Sequence, residues 1–288
     1  MSSTTSSAAR PRRRISFASP LVTGDWLAQN RHSVVVADVR WSLGAGARLG
    51  DYLDGHIPGA VFVDLDRDLA DPPTAAGGRH PLPDPERFAR RLEALGIGDG
   101  TPVVAYDDAG GSVAARLWWL LHALDEPVAV LDGGLASWPG ALSGAEPHIR
   151  QARRTVRPWP AARFADADDI VHAGEAVVLD ARSAARFRDG DPAVDPRPGH
   201  IPGARSAPWT DNLSRTGQFL PRVDLRRRYA GLGVEQAQHV IAYCGSGVTA
   251  CHDLLALELA GLHDTALYAG SWSAWGADPD RPAVTGGR

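Results

Sequence analysis

Cysteine is the scarcest nucleophile in this chain, with Cys244 and Cys251 its only thiols. Cys244 stands in Tyr243-Cys244-Gly245-Ser246-Gly247-Val248-Thr249-Ala250, between an apolar strand-like run and a helical pattern starting near Thr249. Gly245 and Gly247 let the backbone curl so that its N–H groups point inward, at the positive end of the following helix. A loop of this kind holds an anion and favours the thiolate, the reactive form of a thiol. It suits phosphoryl transfer, sulfur carriage as a persulfide, or plain anion binding. A cysteine phosphatase clamps its phosphoryl group with an arginine six positions after the cysteine; here that position is Ala250, so phosphoryl transfer lacks its main charge partner. Cys251 differs from Cys244. Seven helical residues rise about 10 Å, beyond the roughly 7 Å reach of a disulfide, so Cys251 is expected to be a buried thiol.

The rest of the composition narrows the chemistry. Every one of the 30 basic residues is arginine, which excludes Schiff-base, pyridoxal and P-loop chemistry, all of which need a lysine amine. A net charge of -4 over 288 residues leaves no broad basic face, so no nucleic-acid partner is expected. No apolar run approaches the roughly 20 residues of a membrane span, so no membrane partner is expected either. Two cysteines are too few for a secreted disulfide framework and point to a reducing compartment, the cytoplasm. The Ser-, Thr- and Arg-rich segment 1–17 reads as a disordered tail.

The elements that must position Cys244 occur twice. Val34-Val35-Val36-Ala37-Asp38-Val39-Arg40 matches Ala176-Val177-Val178-Leu179-Asp180-Ala181-Arg182, and His56-Ile57-Pro58-Gly59-Ala60 recurs as His200-Ile201-Pro202-Gly203-Ala204. Pro102-Val103-Val104-Ala105-Tyr106 pairs with His239-Val240-Ile241-Ala242-Tyr243, and Gly134 to Trp138 with Ser271 to Trp275. Two copies of one domain are present. Short β-branched runs alternate with amphipathic stretches at Pro85–Leu95, Val113–Leu124 and Thr249–Leu262, the pattern of an α/β domain with a mainly parallel sheet flanked by helices. The expected boundaries are a first domain over 18–139, a linker over 140–163 and a second domain over 164–288. The Pro-, Arg- and Gly-rich stretch 140–160 is expected to run over the surface, and the cleft between the domains is a natural place for a small ligand.

Duplication also separates fold from chemistry. His56 and His200 sit in the same turn of both copies, so each reads as structural, and Arg182, matched by Arg40, reads as an ion-pair partner of the carboxylates beside it. Cys244 faces Asp107 in the first copy, so only the second domain has the nucleophile. His80, in Gly78-Arg79-His80-Pro81-Leu82-Pro83, has no counterpart in Gln218-Phe219-Leu220-Pro221 and can be more than a fold marker. Trp118, Trp119, Trp138 and Trp275 read as core packing.

With the duplicated His-Ile-Pro-Gly-Ala turn, Leu131-Asp132-Gly133-Gly134 and the Cys244–Ala250 loop in view, the chain from about Pro20 to Pro279 resembles the tandem-domain rhodaneses. Their first domain is inactive and their second bears the cysteine. The Cys-Gly-Ser-Gly-Val-Thr-Ala form is similar to that of 3-mercaptopyruvate sulfurtransferases, whereas thiosulfate-using members carry an arginine and a lysine after the cysteine. A neutral loop also suits a monocarboxylate better than a dianion. The resemblance implies sulfur transfer from a small-molecule donor, 3-mercaptopyruvate, through a Cys244 persulfide to a thiol acceptor such as thioredoxin, or to cyanide. No metal or organic cofactor is implied. It implies donor binding by Arg186 and Arg197, and a persulfide cradle of the N–H groups of Gly245, Ser246, Gly247, Val248 and Thr249 with the hydroxyls of Ser246 and Thr249. It also implies a Ser246–His80–Asp66 relay. The alternatives are thiosulfate:cyanide sulfur transfer by the same cysteine and a non-catalytic sulfur-sensing or interaction module.

Overall fold

The computed structural model describes residues 15–287. Most of the expected tail, residues 1–14, lies outside the described residues. Phe17, the last residue of that segment, packs its ring 5.6 Å from Trp26 and so belongs to the first domain's packing.

The first domain holds β1 (Leu21–Val22), β2 (Val35–Asp38), the ribbon strands β3 (Trp41–Ser42) and β4 (Gly46–Ala47), β5 (Val61–Phe62), β6 (Val103–Tyr106) and β7 (Val128–Leu131). The second holds β8 (Phe164–Ala165), β9 (Val177–Asp180), β10 (Arg205–Ser206), β11 (Val240–Tyr243) and β12 (Thr265–Tyr268). The first sheet runs β1-β7-β6-β2-β5 and the second β8-β12-β11-β9-β10. Both are wholly parallel. The equivalent central pairs, Val36 on Val104 and Val178 on Ile241, keep one register. β6, β9 and β11 are buried along their whole length, which is why they read as continuous apolar runs: parallel strands are covered on both faces.

The three long periodic stretches fold as helices over Pro85–Ala94, Ala114–His122 and Ala250–Ala260. Only the first is two-faced, burying Phe88, Ala89 and Leu92. Its start follows local chemistry: the Asp84 side chain accepts from Arg87 N–H, and Pro85 occupies the first turn. The other two are buried on nearly every side, because each packs on its own sheet and on the other helix across the domain junction. One continuous apolar cluster, including Val103, Trp118, Trp119, Val240, Leu254 and Leu257, therefore runs through both copies. Residues 144–160 carry no helix or strand and are tied to the first domain by Thr155 Oγ1 to Asp99 at 2.7 Å and Trp159 Nε1 to Pro83 O at 2.8 Å.

Beneath each His-Ile-Pro-Gly-Ala turn lies the same buried cluster. Arg40 bonds Asp38 and the carbonyl of Gly55, and Arg182 bonds Asp180 and the carbonyl of Gly199. The Tyr106 and Tyr243 hydroxyls accept the N–H of Ile57 and Ile201. His56 stacks 4.0 Å from Tyr52 and His200 3.5 Å from Phe187, each with Nδ1 on a backbone carbonyl. These rings lock the turn to the helix before it. Among the described residues no helix is long and apolar enough to cross a membrane.

Candidate active site

The strand β11 ends at Tyr243 and the next helix starts at Ala250, leaving Cys244 to Thr249 to turn the chain. The Cys244 N–H donates to Ser271 Oγ at 3.1 Å, and the Cys244 and Gly245 carbonyls accept the N–H groups of Trp272 and Ser273, each at 2.9 Å. Ser271 is buried with φ +52°, a strained conformation for a serine costing about 1–3 kcal/mol. Its bonds to Cys244 N–H and Tyr268 O hold it there. Gly247 has φ +76°, and a Cβ there would lie 2.5 Å from Ala269 O, so the turn requires glycine. This curl aims Gly247 N–H at Cys244 Sγ, 3.2 Å away. Val248 is buried and anchors the far side of the loop, and Thr249 occupies the N-cap position of the helix.

The first copy shows what the curl can hold. Asp107, buried at the cysteine position, takes four backbone N–H groups: Ala109 and Gly111 on Oδ1, Val113 and Ala114 on Oδ2, at 2.8–2.9 Å. Four such donors satisfy a carboxylate with no cation present.

The first domain also reaches into the second domain's loop. His80 Nδ1 lies 2.8 Å from Ser246 Oγ, and His80 Nε2 3.0 Å from Asp66 Oδ1. Trp41 Nε1 donates to Asp66 Oδ2 at 2.9 Å, fixing the carboxylate. Burial first, then the Arg116 charge, pushes the His80 pKa down to about 4 against the pull of Asp66. Asp66 loses that contest because its side chain is 51% exposed and solvent screens it. The ring is therefore neutral near pH 7. Its Nε2–H donates to Asp66, leaving the Nδ1 lone pair to accept the Ser246 hydroxyl hydrogen. The three relay residues expected from sequence meet, across a domain boundary.

Arg186 also lies at the loop. Its guanidinium is paired with Asp195 through Nε at 3.0 Å and Nη2 at 2.5 Å, and Nη2 lies 3.0 Å from where a Cβ on Gly245 would sit. Arg197, expected beside it, lies against Trp272, the residue whose N–H bonds the Cys244 carbonyl. Its Nη2 donates to the carbonyls of Trp275 and Arg281, its guanidinium stands 5.8 Å from the Trp272 ring, and its Nε has no partner among the described residues. The position facing Arg186 over Gly245 is taken by Arg79, whose Nη2 is likewise 3.0 Å from that Cβ point.

Sequence reasoning missed Arg79 and Arg116. Arg116 is fully buried; Nη1 donates to Gly247 O at 3.0 Å, and Nη2 to the carbonyls of Leu69, His80 and Pro81 at 3.3–3.4 Å. A lone charge in the apolar helix Ala114–His122 was the available signal, since a buried guanidinium must find acceptors. Cys251 is the buried thiol expected. Burial pushes its pKa up to about 12, so it stays protonated and lies 3.4 Å from Gly247 O as a donor. A cavity of about 730 Å³ opens at the domain junction between Ala75–Gly77 and the Tyr268–Gly270 and Trp275–Arg281 segments.

Comparison with known proteins matches both domains. The rhodanese-like domain matches residues 23–141 and again 164–278. A Pseudomonas aeruginosa protein named a probable 3-mercaptopyruvate sulfurtransferase is 45% identical over 281 residues, covering 92% of this chain and 98% of that one. The human 3-mercaptopyruvate sulfurtransferase is 34% identical, covering 88% and 91%. The crystal structure of the Escherichia coli 3-mercaptopyruvate sulfurtransferase SseA superposes with a TM-score of 0.74 at 33% identity, over 88% of this chain and 99% of that one. With its two matched domains and its single loop cysteine at 244, the chain belongs to the rhodanese family, as a tandem-domain sulfurtransferase of the 3-mercaptopyruvate type.

Proposed function

We infer that this protein moves sulfur from 3-mercaptopyruvate to a thiol acceptor through a persulfide on Cys244. The observation that carries the reading is the Cys244 loop: it directs Gly247 N–H at the sulfur, and its first-copy counterpart gathers four backbone N–H groups on the Asp107 carboxyl oxygens.

In the first half-reaction the Cys244 thiolate attacks the donor's thiol sulfur. An S–S bond forms, and the C–S bond breaks with its electron pair going to carbon as the enolate of pyruvate. Arg186, oriented by Asp195, holds the donor's carboxylate and ketone, where negative charge develops. Ser246 has its hydroxyl hydrogen on His80 Nδ1, so its oxygen lone pairs are free to take the donor's thiol proton. His80 has too low a pKa to store a proton between turnovers and passes it on to the enolate carbon, releasing pyruvate. The loop N–H groups then neutralise the persulfide anion. In the second half-reaction an acceptor thiolate attacks the outer sulfur, forms its own persulfide and frees Cys244 as the thiolate. Thioredoxin or a small thiol suits this step, and cyanide serves in an assay. Two unpaired thiols fit a reducing compartment, the cytoplasm.

Pyruvate release from 3-mercaptopyruvate with cyanide as acceptor tests the reading. It is expected from the wild type and not from Cys244→Ser, and equal release by both would sink the nucleophile.

A further inference from the structure

The ribbon β3–β4 belongs to the first copy alone. In the second copy Arg182 is followed directly by Ser183, the N-cap of helix Ala184–Asp189. In the first, Arg40 is followed by Trp41–Ser42, paired antiparallel with Gly46–Ala47, and only then by helix Leu49–Asp54. Arg48 N–H closes the base of the ribbon on Arg40 O at 3.1 Å, and the Arg48 side chain is tied to Asp51 and Asp108. The ribbon joins neither of the 5-stranded sheets, so it adds nothing to the frame that both copies share.

What the ribbon does reach is the relay. Trp41 Nε1 donates to Asp66 Oδ2 at 2.9 Å, and the indole meets the His80 ring edge-on, with centroids 5.5 Å apart and 84° between the planes. By strand register Asp66 stands where the second copy has Thr210, Trp41 stands where it has Ser183, and His80 has no counterpart. All three therefore occur only in the domain without the nucleophile, and together they end on Ser246 of the other domain. The comparison that set Cys244 apart from Asp107 sets them apart as well: what one copy alone carries marks chemistry rather than fold.

Asp66 needs such a partner. Its side chain is 51% exposed, and the short helix Leu65–Asp68 that bears it is capped through the backbone by Asp64, which leaves the carboxylate free to rotate into water. Oδ1 receives His80 Nε2–H, and Oδ2 is claimed by the indole. With the carboxylate held there, a His80 ring protonated on Nδ1 instead would turn a nitrogen lone pair towards a negative oxygen. It would also turn the Ser246 hydroxyl hydrogen away from the ring.

We propose that Trp41 is a positioning residue of the sulfur-transfer reaction: its indole N–H holds the Asp66 carboxylate in the orientation that keeps the His80 proton on Nε2 and leaves Nδ1 to orient the Ser246 hydroxyl. This rests on the reading of Ser246, His80 and Asp66 as the proton relay. Trp41 passes no proton itself, because an indole N–H only donates. Its effect falls on the donor half-reaction, in which the relay moves the thiol proton.

The test measures the single-turnover rate of pyruvate release at saturating 3-mercaptopyruvate in wild type, Trp41→Phe, Asp66→Ala and the double variant. NMR chemical shifts of the ring nitrogens of His80, assigned with His80→Gln, report which nitrogen carries the proton. Phenylalanine keeps an aromatic ring against His80 and loses only the N–H. Trp41→Phe is expected to be about tenfold slower, with part of the His80 population protonated on Nδ1. The double variant is expected to be no slower than Asp66→Ala, since the indole then has no carboxylate to hold. A wild-type rate in Trp41→Phe, an unchanged His80 tautomer, or losses that multiply in the double variant would each overturn the assignment and leave Trp41 as packing. A wild-type rate in His80→Gln would instead remove the relay reading and this inference with it.

Discussion

Asp107 and Cys244 close the same strand in two copies of one fold, and each faces the backbone N–H groups of the turn that follows it. Leu135 N–H caps the Asp107 carbonyl at 2.8 Å, and Trp272 N–H caps that of Cys244 at 2.9 Å. The first copy has a carboxyl group in its cradle, whose pKa burial raises against the pull of four backbone N–H groups. The second has a sulfur that becomes anionic during turnover. The cradle is thus older than the chemistry in a physical sense: the fold provides anion binding in both halves, and the side chain decides whether anything reacts there.

That relationship makes a substitution predictable. Cys244→Asp should fold, with a Tm no lower than that of Cys244→Ala, and be inactive, because the loop accepts a carboxylate as its counterpart does. Thermal denaturation of the two variants decides it. An aspartate variant clearly less stable than the alanine one would mean that the second loop does not hold anions.

Gly247→Ala introduces both a Cβ at φ +76° and a clash with Ala269 O, whereas Gly203→Ala, at φ +80°, meets nothing within 4 Å. Both carry left-handed strain of about 1 kcal/mol, and the clash adds more, so Gly247→Ala should lose about 1–3 kcal/mol beyond Gly203→Ala. Chemical denaturation of the pair isolates the clash. Equal losses would show that the loop has room to relax.

His80 gives a pH signature. The working form is the neutral ring, and with a pKa near 4 it stays neutral through pH 5–6, where an ordinary histidine would titrate. The kcat/KM profile should therefore show no His80 limb between pH 5 and 7, and His80→Gln should lower kcat by about 10²-fold or more at all those pH values. The same shift makes the fold acid-sensitive. An unfolded chain protonates His80 and His252 near 6.5, whereas the folded one resists down to about 4 and about 3. The unfolded state then binds more protons, and stability falls as pH drops through that window. Asp253, raised to about 7 by burial, contributes with the opposite sign and offsets part of this. Tm against pH should be flatter in His80→Gln than in wild type between pH 6.5 and 4.

Arg116→Met removes a buried guanidinium shared by the loop and the His80 turn. Four carbonyls lose a donor, so the loss is expected to reach about 3 kcal/mol. Because the carbonyls of Gly247 and His80 are both released, kcat should fall as well. Unchanged stability would mean that water replaces the arginine without cost.

The sequence made the duplicated fold legible because the two copies repeat local features: strand, turn, strand and glycine pair. It separated His56 and His200 from the chemistry for the same reason, and the structure shows both rings stacked in equivalent turns. Cys244 and its glycines were readable because the curl is local. Comparison of the two copies singled out His80, but Asp66 and the link of both to Ser246 were reached only through the family resemblance, since that approach depends on domain docking. Docking also hid Arg79, whose neighbour Gly245 is far away in the chain, and it made two helices read as amphipathic that are in fact covered on both sides. Spacing alone does not show which acceptors claim a guanidinium, and the carbonyls of Trp275 and Arg281 take Nη2 of Arg197.

The most direct measurement is the intact mass of the protein after exposure to 3-mercaptopyruvate, with peptide mapping of the two cysteines. The account predicts one added sulfur atom, on Cys244 alone, removed by a thiol or cyanide, and none on Cys244→Ser. Sulfur appearing on Cys251, or an unmodified wild type that still releases pyruvate, would contradict it.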